Sequence, residues 1–118
     1  MLLFEKPVDE MKKEYERIHK IHPDRIAVLV DARSIMDADE IKKHKHKYLV
    51  TPSLLVSQFQ ALVRAKLTIE PEQAIFFMIN NELASGITSF GELAAASERY
   101  VHESGFIIIK LELENAFG

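Results

Sequence analysis

The chain has 118 residues, no cysteine and a formal net charge of −3. Its length suits one domain, and 47% hydrophobic with 28% charged residues is typical of a globular chain. The absence of cysteine excludes disulfides, thiolate metal sites and thiol nucleophiles. No apolar run approaches the roughly 20 residues of a membrane-spanning helix, and the acidic net charge argues against a chain built to coat nucleic acid.

Apolar spacing predicts a helix at the start of the chain, from about Val8 to Ile21, and Pro23 ends it. The short β-branched run Ile26–Val30 predicts a buried strand. Residues 31–46 are polar with a basic end, which indicates a connection that includes a short helix. Tyr48–Val50 follows as a second strand.

The middle of the chain predicts a longer helix and a third strand. Thr51, Pro52 and Ser53 offer an N-cap and a proline that favours helix starts, and helical spacing continues through Leu67. The wholly apolar run Ala74–Ile79 predicts a strand in the centre of a sheet.

The last part of the chain adds a turn, a helix and a strand. Asn80-Asn81 indicates a turn, because asparagine tolerates the left-handed region. Ser89 followed by Glu92 predicts a capping box for a helix through about Arg99. Phe106–Leu113 is the last predicted strand, and the alternation in its second half indicates one solvated side.

This order of elements predicts an α+β roll, in which a sheet wraps around one helix. The first two strands could pair as a hairpin. The last strand could lie beside the first in the middle of the sheet, which would explain its apolar start.

The sequence gives little sign of an enzyme or a metal site. It has no glycine-rich phosphate loop, no nucleophile-elbow pattern and no zinc-binding spacing. His44 and His46 lie in the basic run Lys42–Lys47, where they could form a metal or phosphate site. Four lysines would repel a cation and no carboxylate lies within the run, so a solvated basic loop is the favoured interpretation.

Two features could serve binding or chemical modification. If Tyr48–Val50 is an edge strand, its free backbone groups could accept an added peptide strand, although the pattern alone favours an ordinary half-buried edge. The chain ends in Gly118, and a terminal glycine presents an unhindered carboxylate that ATP could activate and a partner's cysteine could accept. A chance terminal glycine is the alternative.

Four segments together resemble one known family. They are PDRIAVLV (23–30), KYLVTPSLLVSQFQALVRAKL (47–67), PEQAIFFMINN (71–81) and the last segment, 105–118, which begins with GF and ends with ENAFG. The chain is similar, over nearly its whole length from residue 7, to the autophagy-related ubiquitin-like modifiers, the family of microtubule-associated protein light chain three and GABARAP.

The resemblance implies a single ubiquitin-like β-grasp domain. It would comprise an N-terminal helical extension (1–24), a core (25–113) and a flexible tail (114–118). It also implies conjugation of Gly118, preceded by the aromatic Phe117, to phosphatidylethanolamine on autophagosomal membranes, the unconjugated form being cytoplasmic. The implied partners are activating and conjugating enzymes and a processing and delipidating cysteine protease. No nucleic acid, cofactor, metal or enzymatic activity is implied. Gly118 is either encoded last or exposed by processing.

The resemblance further implies that cargo receptors dock through short aromatic-x-x-aliphatic motifs, which add a strand beside KYLV. The matching aromatic pocket comprises Glu14, Ile18, Ala27, Leu29, Lys47, Leu49 and Phe106. The matching aliphatic pocket comprises Tyr48, Val50, Thr51, Leu54, Phe59, Leu62 and Val63. Arg25 and Lys66 fall where relatives place basic residues that meet acidic groups flanking the motif.

Two alternatives remain open at this point. One is a modifier joined to a protein lysine, like the autophagy-related twelve family, and the other is a non-conjugated peptide-binding adaptor with the same fold. The chain also departs from its relatives: Ala27 replaces a frequent proline, and the segments 42–47 and 94–104 are longer. These departures bear on pocket shape and receptor preference more than on the fold.

Overall fold

A computed structural model gives the fold and describes residues 2–70 and 72–114. Its helices within these ranges are a 3-10 helix Leu3–Glu5, α1 Val8–Ile21, α2 Ala38–Lys42, α3 Val56–Lys66, α4 Phe90–Ala95 and α5 Ser97–Tyr100. Its strands are β1 Ile26–Asp31, β2 Lys47–Val50, β3 Ile75–Ile79, β4 Glu82–Leu83 and β5 Ile107–Leu113. The α+β class predicted from the sequence is confirmed.

The strands form one mixed sheet in the order β2-β1-β5-β3-β4. β1 and β5 run parallel in the centre, with Val28 opposite Ile107, and the remaining neighbours are antiparallel. The predicted position of the last strand beside the first is therefore confirmed. β1 and β2 pair antiparallel, but α2 lies in the connection between them.

Alternation along the strands sends side chains to both faces of the sheet, and each face carries its own buried cluster. One face packs against α3 and α4 through Phe59, Val63 and Phe90, which are fully buried. The other packs against α1 through Met11 and Ile18. A sheet around one helix is thus an incomplete description, because α1 covers the second face.

The start of α3 differs from the prediction. The helix begins at Val56 and not near Pro52, and the Leu55 N–H is capped by the Gln58 side-chain oxygen at 2.9 Å. Hydrogen bonds from a distant segment hold the preceding residues out of the helix: the Gly91 N–H donates to the Pro52 carbonyl and the Val56 N–H to the Thr88 carbonyl. The helix start is therefore set by tertiary contacts.

The predicted helix from Ser89 to Arg99 is two short helices. Ser89 forms the expected capping box, in which its hydroxyl accepts from the Glu92 N–H at 3.1 Å. The helix breaks at Ala96, whose ψ is 54°. The predicted turn at Asn80 and Asn81 is confirmed by positive φ angles of 50° and 65°, and it leads into β4, which the sequence pattern did not predict.

Candidate functional site

The outer edge of β2 is the part of the sheet to which a further strand could be added. Among the described residues β2 pairs with β1 alone. The Val30 N–H donates to the His46 carbonyl, which makes these two residues a hydrogen-bonded pair in the antiparallel ladder. Pairs alternate along such a ladder, so Tyr48 and Val50 direct their backbone groups towards β1. Lys47 and Leu49 therefore direct theirs towards the open edge.

The same alternation separates the side chains of β2. Leu49 and Lys47 lie on the α1 face: Leu49 packs against the α1 cluster, and the Lys47 ammonium lies 3.3 Å from the Glu14 carboxylate. Tyr48 and Val50 lie on the α3 face, within the main core. The edge is thus flanked by one surface from each face, as the predicted pair of pockets requires.

The structure brings the predicted aromatic-pocket residues together on the α1 face. Ile18, Ala27, Leu29 and Phe106 form one buried cluster with Met11, and Leu49 packs on it. Ala27, Leu29 and Phe106 are 3%, 0% and 0% exposed, so they supply a floor and not accessible walls. The groups a ligand could touch are the half-buried Glu14, Lys47 and Leu49.

A cavity of about 330 Å³ opens between α1 and β2 beside this floor. Three predicted residues, Ile18, Lys47 and Leu49, line it. It is also lined by Ile21 and by three basic residues that the sequence analysis did not assign, Arg17, His22 and Lys45. Helical spacing could have found Arg17 and Ile21, because they lie three residues after Glu14 and Ile18 on the same helix face.

Glu14 pairs with two of the basic residues that line this cavity, Arg17 and Lys47. The Arg17 guanidinium donates a hydrogen bond to its carboxylate, which is the main reason that the Glu14 pKa lies below its ordinary value; burial acts in the opposite direction and Lys47 adds to the lowering. Glu14 therefore carries a negative charge at neutral pH and holds both cations. An acidic ligand would compete with Glu14 for Lys47.

The predicted aliphatic-pocket residues also come together, on the α3 face, but most of them are part of the core. Tyr48 and Phe59 pack edge to face with ring centroids 5.3 Å apart, and Val50 and Val63 are buried beside them. Burial raises the pKa of the Tyr48 hydroxyl, which donates to the Lys45 carbonyl at 3.1 Å. The remaining residues are nearer the surface: Leu54 is half-buried, Thr51 is exposed, and Leu62 is 41% exposed.

The structure places the two predicted basic flanking residues on the surface. Arg25 lies just before β1, with its guanidinium 4.0 Å from Asp24, and Lys66 is exposed at the last residue of α3. The terminal residues Phe117 and Gly118 lie outside the described part of the chain.

The end of the basic run packs on its neighbours and is not wholly solvated. Lys45 lies over the Tyr48 ring at 5.0 Å, and the His46 ring meets Phe4 edge to face at 5.9 Å. Burial, and secondarily Lys47, lowers the His46 pKa. Within residues 2–70 and 72–114 no group of three or more histidine, aspartate or glutamate side chains could hold a metal ion.

With this geometry established, sequence comparison identifies the family. The family described as "Autophagy protein Atg8 ubiquitin like" matches residues 10–118. This chain belongs to the Atg8 family. Autophagy-related protein 8d of Arabidopsis thaliana is 34% identical over 114 residues, covering 97% of this chain and 91% of that protein. Autophagy-related protein 8 of Mycosarcoma maydis is 34% identical over 110 residues, covering 93% and 89%.

Solved Atg8 structures share the fold. Trypanosoma brucei ATG8 superposes with a TM-score of 0.72 at 21% identity, over 92% of this chain and 90% of that one. Plasmodium falciparum Atg8, solved in complex with a P. falciparum Atg3 peptide, gives 0.75 at 21% identity, over 95% and 94%. The predicted ubiquitin-like fold is thus confirmed. Across the described ranges, every helix falls short of the length and apolarity that a membrane crossing needs.

Proposed function

We propose that this Atg8-family protein is a ubiquitin-like modifier of autophagy that is conjugated through Gly118 to phosphatidylethanolamine and binds short aromatic-x-x-aliphatic motifs by strand addition at β2. The observation that carries the binding part is the open β2 edge, with the backbone groups of Lys47 and Leu49 directed outwards and a cavity of apolar and basic side chains beside them. Family membership supports the conjugation part, and the family match includes Gly118.

In this proposal the chain is a substrate and a scaffold and performs no reaction itself. Activating and conjugating enzymes would supply the cysteines, since the chain has none, and a cysteine protease would process it or release it from lipid. A P. falciparum relative binds an Atg3 peptide, and we extend that pairing to a conjugating-enzyme partner here. The protein would be cytoplasmic until conjugation brings it to the autophagosome membrane.

Conjugation is tested with purified activating and conjugating enzymes, ATP and liposomes containing phosphatidylethanolamine. The wild-type chain is expected to gain the mass of one lipid, and Gly118→Ala is expected to lose the product because a Cβ at the reacting residue obstructs transfer. Gly86→Ala is the matched control. Equal lipidation of Gly118→Ala and wild type would contradict the proposal. A product linked to a protein lysine would favour the protein-conjugated alternative, and no product with intact peptide binding would favour the adaptor.

Motif binding is tested by calorimetry with an acidic-flanked aromatic-x-x-aliphatic peptide. Leu49→Ala is expected to weaken binding, because Leu49 lines the cavity beside the edge. Leu83→Ala is the matched control, since Leu83 is 63% exposed on β4 at the opposite edge of the sheet. Unfolding by urea must be measured in parallel, because Leu49 is half-buried against the α1 cluster and its truncation also lowers folding stability. Unchanged affinity in a folded Leu49→Ala chain would refute the pocket assignment.

The backbone part of the proposal has its own test, which does not depend on any side chain. A peptide strand paired with Lys47 and Leu49 must direct alternate N–H groups at them. N-methylation of those alternate peptide residues is expected to abolish binding, whereas methylation of the residues between them is expected to have little effect. Loss of binding at every methylated position, or at none, would argue against strand addition.

Lys47 is expected to act mainly on the association rate. Lys47→Ala should slow binding of the acidic-flanked peptide more at low salt than at high salt, because screening already weakens steering at high ionic strength. Lys66→Ala, measured in the same way, tests the predicted basic flanking residue on α3. A change confined to the dissociation rate would show that Lys47 acts by contact and not by steering.

A further inference from the structure

A second cleft, of about 530 Å³, lies between the N-terminal 3-10 helix and α2. Its volume falls within the roughly 300–1,000 Å³ of small-molecule pockets. None of the residues assigned to the peptide site lines it. Its occupant is therefore a separate question from the function proposed above.

The cleft has an apolar floor formed by Leu2, Met36, Ala38 and Ile41. Ile41 is buried at 7% exposure, and Met36 packs against the main core. Behind Met36 and Ile41 lies a further interior space of about 10 Å³ that borders the core. Methionine is unbranched and adapts readily to its surroundings, so the floor can give way to an inserted hydrocarbon.

Aromatic contacts hold the N-terminal wall in place. The Phe4 ring lies under the Arg33 guanidinium at 4.7 Å and meets the His46 ring at 5.9 Å. Glu5 accepts a hydrogen bond from the Leu2 N–H at 2.9 Å. The cleft is thus preformed by contacts between distant parts of the chain.

The polar side chains around the cleft are of two kinds, those with partners and those without. Arg33 donates to both oxygens of Asp31, at 2.9 and 2.8 Å, and its Nη1 lies 3.8 Å from Glu5. Arg33 therefore satisfies the two carboxylates nearest to it. The side chains of Lys42 and His44 also line the cleft, and neither has a hydrogen-bond or ion-pair partner within the described ranges.

We propose that this cleft binds a single-chain anionic amphiphile, a medium-chain carboxylate in its simplest form. The hydrocarbon would lie on Met36 and Ile41, and the carboxylate would meet the Lys42 ammonium and the His44 ring at the rim. A cationic ligand is disfavoured, because Asp31 and Glu5 are already engaged by Arg33. A neutral one would form no ion pair with Lys42.

Methyl spectra of the methionines provide the test. Decanoate, titrated below its micelle concentration, is expected to shift the Met36 methyl saturably and to leave those of Met11 and Met78 unmoved, since Met36 lines the cleft and those two do not. A neutral C10 glycerol ester is expected to bind about tenfold more weakly or worse, because a charge-assisted hydrogen bond is lost.

Two pairs of variants locate the site. Ala38→Trp fills the cleft from an exposed position and is expected to abolish the Met36 shift, whereas Ala61→Trp, exposed on α3, is expected to preserve it. Lys42→Ala is expected to weaken decanoate about tenfold, whereas Lys43→Ala, exposed and outside the lining, is expected to leave it unchanged. If Ala38→Trp does not fold, the comparison of Lys42→Ala with Lys43→Ala provides the test.

Several outcomes would overturn the proposal. Equal binding of decanoate and the neutral ester would remove the anionic specificity. Binding that requires anionic vesicles would assign the surface to membranes, and binding of an acidic, leucine-containing peptide but not of decanoate would assign it to a protein partner. If Lys43→Ala weakened binding as strongly as Lys42→Ala, the effect would be a general attraction by the basic run and not a contact of Lys42.

Discussion

His46 lies where the basic loop enters β2, and its ring is packed against Phe4 beside Lys47. Burial and then the Lys47 charge disfavour the protonated ring, so the His46 pKa lies below the ordinary value near 6.5. The unfolded chain binds this proton more readily than the folded chain. Folding stability contributed by neutral His46 is therefore complete above the unfolded pKa and declines as pH falls through it towards the folded pKa.

The expected result is a decrease in the free energy of unfolding between about pH 7 and pH 5, measured by urea titration. His46→Gln should reduce this dependence, and His44→Gln is the matched control. Glu14 and Asp31 also have lowered pKa values, so their ionised carboxylates stabilise the folded chain. That stabilisation is lost only below about pH 4.5, which is a lower pH range than that of His46. An unchanged pH dependence in His46→Gln would contradict the assignment.

Core residues and pocket residues of α3 share one apolar pattern. Phe59 and Leu62 are both apolar α3 residues three positions apart, yet Phe59 is 0% exposed and Leu62 is 41% exposed. Spacing predicts that both lie on one helix face, and it does not distinguish a core residue from a pocket wall. Truncating Phe59 would therefore disturb the core first, which makes Leu49 the sharper test of motif binding.

Among the secondary-structure elements, α4 depends on its capping box. The Ser89 hydroxyl accepts from the Glu92 N–H, and the Glu92 carboxylate accepts from Ser89 in return. Ser89→Ala is expected to cost about 1 kcal/mol of folding stability, because it leaves a helix donor without its partner. Ser97→Ala is the matched control, since α5 has no side-chain cap. Equal urea midpoints for Ser89→Ala and wild type would refute this role.

The elements that local chemistry determines were predicted well from the sequence. The bounds of α1 follow from its apolar spacing and Pro23, and β3 follows from its apolar run. The elements that were missed depend on distant partners. Hydrogen bonds from Gly91 and from Val56 to Thr88 delay the start of α3, and the break at Ala96 has no local signal because alanine favours helices.

The candidate site also combines features that the sequence could predict with features that depend on distant partners. The edge position of β2 and the alternation of its side chains were accessible from sequence pattern and family resemblance. Of the basic residues around the cavity, Arg17 was accessible from helical spacing, but His22 and Lys45 were not, since only the fold brings the end of α1 and the loop before β2 together. The cleft beside α2 was missed for the same reason, because Leu2 and Glu5 at the start of the chain meet Arg33 and α2 only in the fold.

The protein unfolds as one cooperative unit only if α1 is part of that unit and not an extension appended to the sheet. α1 buries Met11 and Ile18 against the sheet face formed by Ala27, Leu29 and Phe106. Without α1 those apolar side chains would face water, which is unfavourable in proportion to the area exposed. The packing favours a single unit with two cores that share one sheet.

Two isoleucines of α1 make this testable with matched substitutions. Ile18 is 6% exposed and Ile21 is 59% exposed, so Ile18→Ala is expected to cost about 2–4 kcal/mol of global stability and Ile21→Ala less than about 0.5 kcal/mol. Amide hydrogen exchange should show the loss in β3, which does not pair with β1 and is separated from it by β5. If Ile18→Ala accelerated exchange in α1 while β3 kept its protection, α1 would be an appended helix and the two cores would unfold independently.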